Sequence, residues 1–404
     1  MLYFDGASTT STTRVVRRAV NKGMKIFGNP SSLHKAGRKA NEELIRARLK
    51  IAELLNCHPE EIYFTSGGTE ANNWAIHSAC EYGKSKNKMR IITSSIEHHS
   101  VLNVLKQKEK EGFEVIYLPV YETGIVKVAD LKKYLTKDVC LVTIMAINNE
   151  IGTIQPIEDI GALCKKKKVI FHTDGVQLLP MGDVDLRNRD KDISMMSASA
   201  HKFHGPKGVG FLFCRKGTPL APFILGGSQE RKERAGTENL PGIMGMAAAL
   251  KETYKKHSTI KLASKLYDYR NLFIEVLTEF EFDKKYGYDC IVCGDKEDRI
   301  YNNVNVCFKN IDGATLQLFM DRMGVCVSVG AACTNQSMES SHVLKAIGVP
   351  EEFITGNLRI TIPDDINNRK TRKFFKALID SLNMLYVVPK KYLGETLDKV
   401  KKVW

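Results

Sequence analysis

Lys202 closes the run Ser197-Ala198-Ser199-Ala200-His201-Lys202, directly after a short apolar stretch. A lysine amine in such a place can condense with an aldehyde cofactor to form a Schiff base. Ser199 and His201 beside it could hold a phosphate. Taken singly, Lys202 also reads as an ordinary surface lysine. Asp174 ends Ile170-Phe171-His172-Thr173, and Gln177 follows three residues later. A carboxylate there could keep a heteroaromatic ring nitrogen protonated, so that the ring draws electrons, and Gln177 could reach a ring oxygen. The competing reading of Asp174 is a helix cap. His98, in Ser95-Ile96-Glu97-His98-His99, offers an imidazole for ring stacking and proton transfer. Ser66-Gly67-Gly68-Thr69-Glu70 joins two glycines, which let backbone approach an anion, to an apparent helix start. A plain strand-to-helix turn has the same appearance. Cys333 sits in Val329-Gly330-Ala331-Ala332-Cys333-Thr334-Asn335-Gln336-Ser337, small and polar and without periodicity. That pattern describes a loop with a thiol able to react, or a small residue filling a turn. No metal centre is expected. Adjacent His98 and His99 point apart, and Cys290-Ile291-Val292-Cys293 lacks the second pair that a structural zinc site needs, so these cysteines read as buried strand thiols.

These residues need a scaffold that gathers them. From about residue 36 to 250 helical and β-type patterns alternate. Ala40, Leu44, Ala47, Ile51 and Leu54 fall at helical spacing. The β-type runs are Ile62-Tyr63-Phe64, Ile91-Ile92, Val115 to Leu118, Leu141 to Ile144, Val169-Ile170-Phe171 and Ile193 to Met196. Such alternation predicts a largely parallel sheet covered by helices on both faces, the α/β class. Ligands of an open parallel sheet bind beyond the carboxyl ends of its strands. The exits of these runs carry Gly67-Gly68-Thr69, His98, Asn149, Asp174 with Gln177, and Ser199 with His201 and Lys202. Beyond about residue 256 a long helix (Leu262, Leu266, Tyr269, Leu272, Val276) and runs at Val304 to Val306 and Val325 to Val327 predict a smaller α+β domain. The expected division is 14–255 for the large domain, and 1–13 with 256–404 for the small domain carrying the Cys333 loop.

The 404 residues are 43% hydrophobic and 26% charged, as in soluble globular proteins. No run of 18 apolar residues suggests a membrane span, and the start lacks a secretory pattern. A cytoplasmic location is expected, where the ten scattered cysteines would stay as thiols. The net charge of +14 invites a polyanionic partner, but no basic segment is interleaved with aromatics. The lysines are read as solvated faces, with no direct nucleic-acid contact. Leu393, Leu397, Val400 and Trp404 lie at helical spacing among lysines. They suggest a tail that docks an acidic partner, or a helix packed on its own domain.

Together these segments resemble the cysteine desulfurases of the NifS/IscS type, in the class V aminotransferase family of pyridoxal-phosphate (PLP) enzymes. The matching pieces run in order: Asp5-Gly6-Ala7-Ser8-Thr9-Thr10, Phe27 to Ser32, Thr65 to Glu70, Asn148 to Gly152, His201-Lys202 with Gly205-Pro206-Lys207-Gly208, Arg234-Ala235-Gly236-Thr237, and the Cys333 loop. Ser8 stands where alanine is usual, and Pro363-Asp364 where a Gly-Arg pair often follows. The resemblance implies PLP fold type I, a seven-stranded-type sheet between helices, and release of alanine from L-cysteine with its sulfur taken as a persulfide on Cys333. It implies that Lys202 carries the cofactor, that His98 stacks on the ring and takes the substrate thiol proton, and that Asp174 and Gln177 bind the ring nitrogen and oxygen. Gly68, Thr69, Ser199 and His201 are implied for the phosphate, and Thr237 for the phosphate of the other subunit of a homodimer. Asn149 is implied for both the cofactor and the substrate carboxylate, and Arg359 for the substrate carboxylate. The sulfur acceptor is left open between an iron–sulfur scaffold and a thiolation enzyme. The rival readings are another class V enzyme, such as a selenocysteine lyase or a small-amino-acid aminotransferase, the latter disfavoured by the Cys333 loop, and a non-catalytic scaffold, which Lys202 and Cys333 together disfavour.

Overall fold

The computed structural model describes residues 1–257, 260–278, 289–329 and 340–385. Twelve strands occur among them: β1 (Leu2–Tyr3), β2 (Ile62–Thr65), β3 (Arg90–Ser94), β4 (Glu114–Leu118), β5 (Val139–Thr143), β6 (Ile170–Asp174), β7 (Met195–Ser199), β8 (Gly210–Cys214), β9 (Cys290–Val292), β10 (Asn303–Phe308), β11 (Val325–Cys326) and β12 (Asn357–Thr361). The large sheet has seven strands in the order β2-β8-β7-β6-β5-β3-β4. All run the same way except β8, which is antiparallel to both β2 and β7. The parallel α/β expectation therefore holds, with β8 as the reversed strand.

Burial explains the sheet. Every residue of β5, β6, β7 and β8 is buried, as strands covered on both faces require. The helix Lys35–Leu54 buries Ala40, Leu44, Ala47 and Ile51, the stripe its spacing predicts. The run beginning at Ile193 forms strand only from Met195 and continues through Ser199. Its buried Ser197 is tolerated because His172 Nε2 meets Ser197 Oγ at 2.9 Å.

A three-stranded antiparallel sheet, β12-β10-β9, has its own core. The helix Ile260–Thr278 packs on it through Leu266, Tyr269, Leu272 and Val276, as expected. β1 pairs with β11 in a separate two-stranded sheet, and Phe4 and Val325 join the core of the three-stranded one, so the amino terminus belongs spatially with it. Val343, Leu344 and Phe353 instead join the core of the large sheet. Cys140, Cys214 and Cys307 are buried in strands, but Cys326 is only partly buried. The apolar run Val325 to Val327 suggests a buried thiol there, and the structure corrects that reading. β11 belongs to a two-stranded sheet, which leaves one side of Cys326 open.

Candidate active site

Because β2, β3, β5, β6 and β7 all point the same way, their carboxyl ends share one edge of the sheet. A cavity of about 270 Å³ lies there. Gly68, Thr69, His98, Asn149, Asp174, Gln177, Ser199, His201, Lys202 and Arg359 all line it. Thr237, also singled out in the sequence, does not line it and is exposed, and Cys333 falls outside the described residues.

Each side chain is held by local structure. Asp174 ends β6, 7% exposed; one carboxylate oxygen accepts the Val176 N–H at 3.0 Å. That bond closes a turn and caps no helix, since the next helical residues, Leu179–Met181, begin after Leu178; the site reading of Asp174 stands and the capping reading does not. The other oxygen accepts Asn72 Nδ2 at 2.7 Å. Gln177 Nε2 donates to the Ala7 carbonyl at 3.1 Å. Lys202 Nζ donates to the carbonyls of Ala7 and Ser8 at 2.7 and 2.9 Å. The amino-terminal segment thus reaches from the small sheet to the edge of the large one and forms a wall of the cavity. Arg359, on β12, donates to the Asn149 carbonyl at 3.1 Å, to the Asp5 carboxylate at 3.0 Å and to the Ser8 hydroxyl.

His98 caps the helix His99–Lys110: its Nδ1 accepts the Ser100 N–H at 3.1 Å. The Ser100 hydroxyl also meets Nδ1, at 2.8 Å, and accepts Asn72 Nδ2 at 2.8 Å. A ring nitrogen that accepts a backbone N–H carries no proton, so the neutral imidazole holds its proton on Nε2. Burial lowers the His98 pKa; Asp174 opposes this, while Lys202 and His99 add to it. His201 is pushed down to about 4 by burial, with Lys202 and Lys207 contributing. Both rings are therefore neutral at pH 7. Asn72 and Ser100 were not singled out in the sequence, and Asp5 and Ser8 entered only with the amino-terminal motif, Ser8 as its departure. Asn72 lies four residues after Gly68 on the same helix face, the one signal available for it.

Residues 2–355 match the family described as aminotransferase class-V. The chain belongs to the class-V aminotransferase family. It is 43% identical over 362 residues to the cysteine desulfurase IscS of Dictyoglomus turgidum, covering 89% of each chain. Among solved structures it resembles a NifS-like protein at 36% identity and a TM-score of 0.86, covering 95% of this chain and 99% of that one. It also resembles SspA in complex with cysteine, at 33% identity and a TM-score of 0.77, over 90% and 99% of the two chains. Class-V aminotransferases depend on PLP, and the cavity fits that group. Buried Asn72 Oδ1 and Arg359 Nε have no hydrogen-bond partner among the described residues. Gly67, at φ +155°, lies beside Ser199, and a Cβ on Gly68 would stand 2.7 Å from Val176 Cγ2. The glycines thus open a cradle at the start of the helix Gly68–Ser85, where first-turn N–H groups lack intrahelical acceptors. An amine, a carboxylate for a ring nitrogen, and neutral donors for a phosphate complete the set.

Proposed function

We propose that this chain is a PLP-dependent cysteine desulfurase that converts L-cysteine to L-alanine and passes the sulfur, as a persulfide on Cys333, to an acceptor protein. The observation that carries this reading is the meeting of Lys202, Asp174, Gln177, His98 and Arg359 in one cavity, in a chain 43% identical to an IscS. When bound, PLP supplies an aldehyde for amines and a ring that draws electrons from the substrate. Lys202 holds the cofactor and moves the proton at the substrate Cα. Asp174, kept in place by Asn72 and the Val176 N–H, holds the ring nitrogen, and Gln177 the ring oxygen. Gly68, Thr69, Ser199 and His201 take the phosphate. Arg359 pairs with the substrate carboxylate beside Asn149. His98 stacks on the ring and presents an Nε2 proton. The Cys333 thiolate attacks the substrate sulfur as its Cβ–S bond breaks. The sum balances: cysteine and a protein thiol give alanine and a protein persulfide.

Thr237, exposed here, completes the phosphate site of a second copy in a homodimer. The site lies between a large domain of 14–255 and a small domain of 1–13 with 256–404; the two sheets support this division, while Val343, Leu344 and Phe353 pack into the large core. The acceptor is an iron–sulfur scaffold or a thiolation enzyme, in the cytoplasm. Among the described residues no helix is long and apolar enough to cross a membrane. To test the reading, purified protein is given L-cysteine and a reductant. Wild type should show the visible absorbance of a lysine-linked cofactor and form alanine; Lys202→Ala should do neither. A wild type that binds PLP yet forms no alanine would overturn the reading.

A further inference from the structure

Residues 330–339, which include Cys333, lie outside the described structure, but both flanks are described. Each flank is tied to the substrate side of the cavity. Upstream, Ser328 and Arg359 exchange backbone hydrogen bonds of 3.2 and 2.6 Å. Downstream, the Ser341 hydroxyl donates to Glu150 Oε2 at 2.6 Å and accepts the Leu344 N–H at 3.2 Å. One residue on, His342 Nε2 donates to the Glu97 carbonyl at 3.0 Å, and its ring meets His99 edge-on at 4.9 Å.

The three contacts share a logic. Glu150 follows Asn149, Glu97 precedes His98, and Ser328 pairs with Arg359. Each therefore refers the flanking chain to a residue assigned to substrate. The receiving groups are themselves fixed. Glu150 is 5% exposed; its N–H goes to Asn148 Oδ1 at 2.8 Å, and its carbonyl accepts Asn305 and Asn303 amides at 3.1 and 3.4 Å. Glu97 is fully buried, and its carboxylate accepts the Met145 N–H at 3.0 and 3.1 Å.

Ser341 is the informative member. The short helix it begins, His342–Ala346, already places Val343 and Leu344 in the core, at 1% and 0% exposure. Apolar burial holds that helix without the hydroxyl. Burying a carboxylate to receive one serine is costly, since no cation lies within hydrogen-bonding distance of Glu150 among the described residues. Burial pushes its pKa up to about 7, with Ser341 and Arg359 acting against the rise.

We propose that Ser341 and Glu150 are positioning residues for sulfur transfer: their hydrogen bond fixes the downstream flank of the Cys333 segment to the loop that carries Asn149. This rests on the reading of Cys333 as the sulfur-accepting thiol. The full-length holoenzyme tests it. Ser341→Ala should keep the cofactor, the absorbance change on adding cysteine, and an unchanged KM. Its kcat for alanine and persulfide should fall about tenfold, because small displacements of reacting groups are costly. Ser341→Thr, which keeps the hydroxyl, and Glu150→Gln, which keeps an acceptor oxygen, should restore kcat to within about twofold of wild type. Glu150→Met fills the same space and offers only a weakly accepting sulfur; it should lose activity as Ser341→Ala does, and it serves if that variant fails to fold. Wild-type kcat in a folded Ser341→Ala or Glu150→Met overturns the proposal. Loss of cofactor and cysteine binding in step with kcat would also overturn it, since that marks a structural role. Wild type that makes no alanine sinks the functional reading instead, whatever the variants do.

Discussion

His98 is fixed in one tautomer by the helix it begins, because the Ser100 N–H occupies Nδ1. The Nε2 proton then faces the cavity, which makes the neutral ring a donor there. The family resemblance assigns His98 the substrate thiol proton; the hydrogen bonding here favours donation from Nε2. Burial holds the ring pKa below its ordinary value, so the neutral form persists on acidification past pH 6.5. Protonation at Nδ1 would break the bond from the Ser100 N–H that orients the ring, so the acid limb of kcat/KM that belongs to His98 should lie below that pH. Ring nitrogen NMR of the folded protein should report Nε2–H. His98→Ala should lower kcat/KM roughly 10²- to 10⁴-fold, the span of general acid–base catalysis, with the cofactor retained. An Nδ1–H ring, or an acid limb above pH 6.5 that disappears in the variant, would contradict this. The sequence displayed His98, Asp174 and Lys202 because each stands just past an apolar run. It hid Asn72 and Ser100, which line the cavity and hold Asp174 and His98 in place. Polar residues on helices are common, and only the folded register shows that these two meet at 2.8 Å.

At the scale of elements, the segment carrying Thr237 is the piece that the cavity of this chain does not use. Arg234 Nε bonds Glu70 at 2.8 Å, which ties the segment to the helix Gly68–Ser85 while leaving Thr237 exposed. Leu225, Phe27 and Leu33 are 82%, 90% and 89% exposed. The pairing requires that some of these open apolar side chains be covered by the second copy. Light scattering of the holoenzyme should give twice the chain mass; an active monomer would contradict the pairing. The strands differ in how plainly the sequence shows them. β2 to β6 are apolar runs and stand out. β12 (Asn-Leu-Arg-Ile-Thr) does not, because three of its five residues are polar, yet all five are buried. Arg359 is held there by Asp5, Ser8 and the Asn149 carbonyl, contacts up to 354 residues apart in sequence. The reversal of β8 was equally hidden, since strand direction depends on connections rather than on composition.

For the molecule as a whole, the site is assembled from three remote stretches: the exits of the large sheet, the amino-terminal segment from Asp5 to Ser8, and β12. The parallel sheet was legible because helix and strand periods alternate so regularly. The path of residues 1–13 was not, for β1 has two residues and its partner β11 lies more than 300 positions away. Cys333 is the thiol on which the functional account turns. The other nine cysteines are described, and seven of them are buried, where thiols are poor nucleophiles. Cys57 and Cys326 are only partly buried, but burial pushes both pKa values up, leaving little thiolate at neutral pH. The most direct measurement is the yield of alanine and protein-bound persulfide when L-cysteine is added to wild type and to Cys333→Ser. Wild type should form both. The variant should keep its cofactor and still change absorbance on adding cysteine, while alanine and persulfide fall by several orders of magnitude, as loss of a nucleophile does. Near-normal alanine production by Cys333→Ser would contradict the persulfide mechanism.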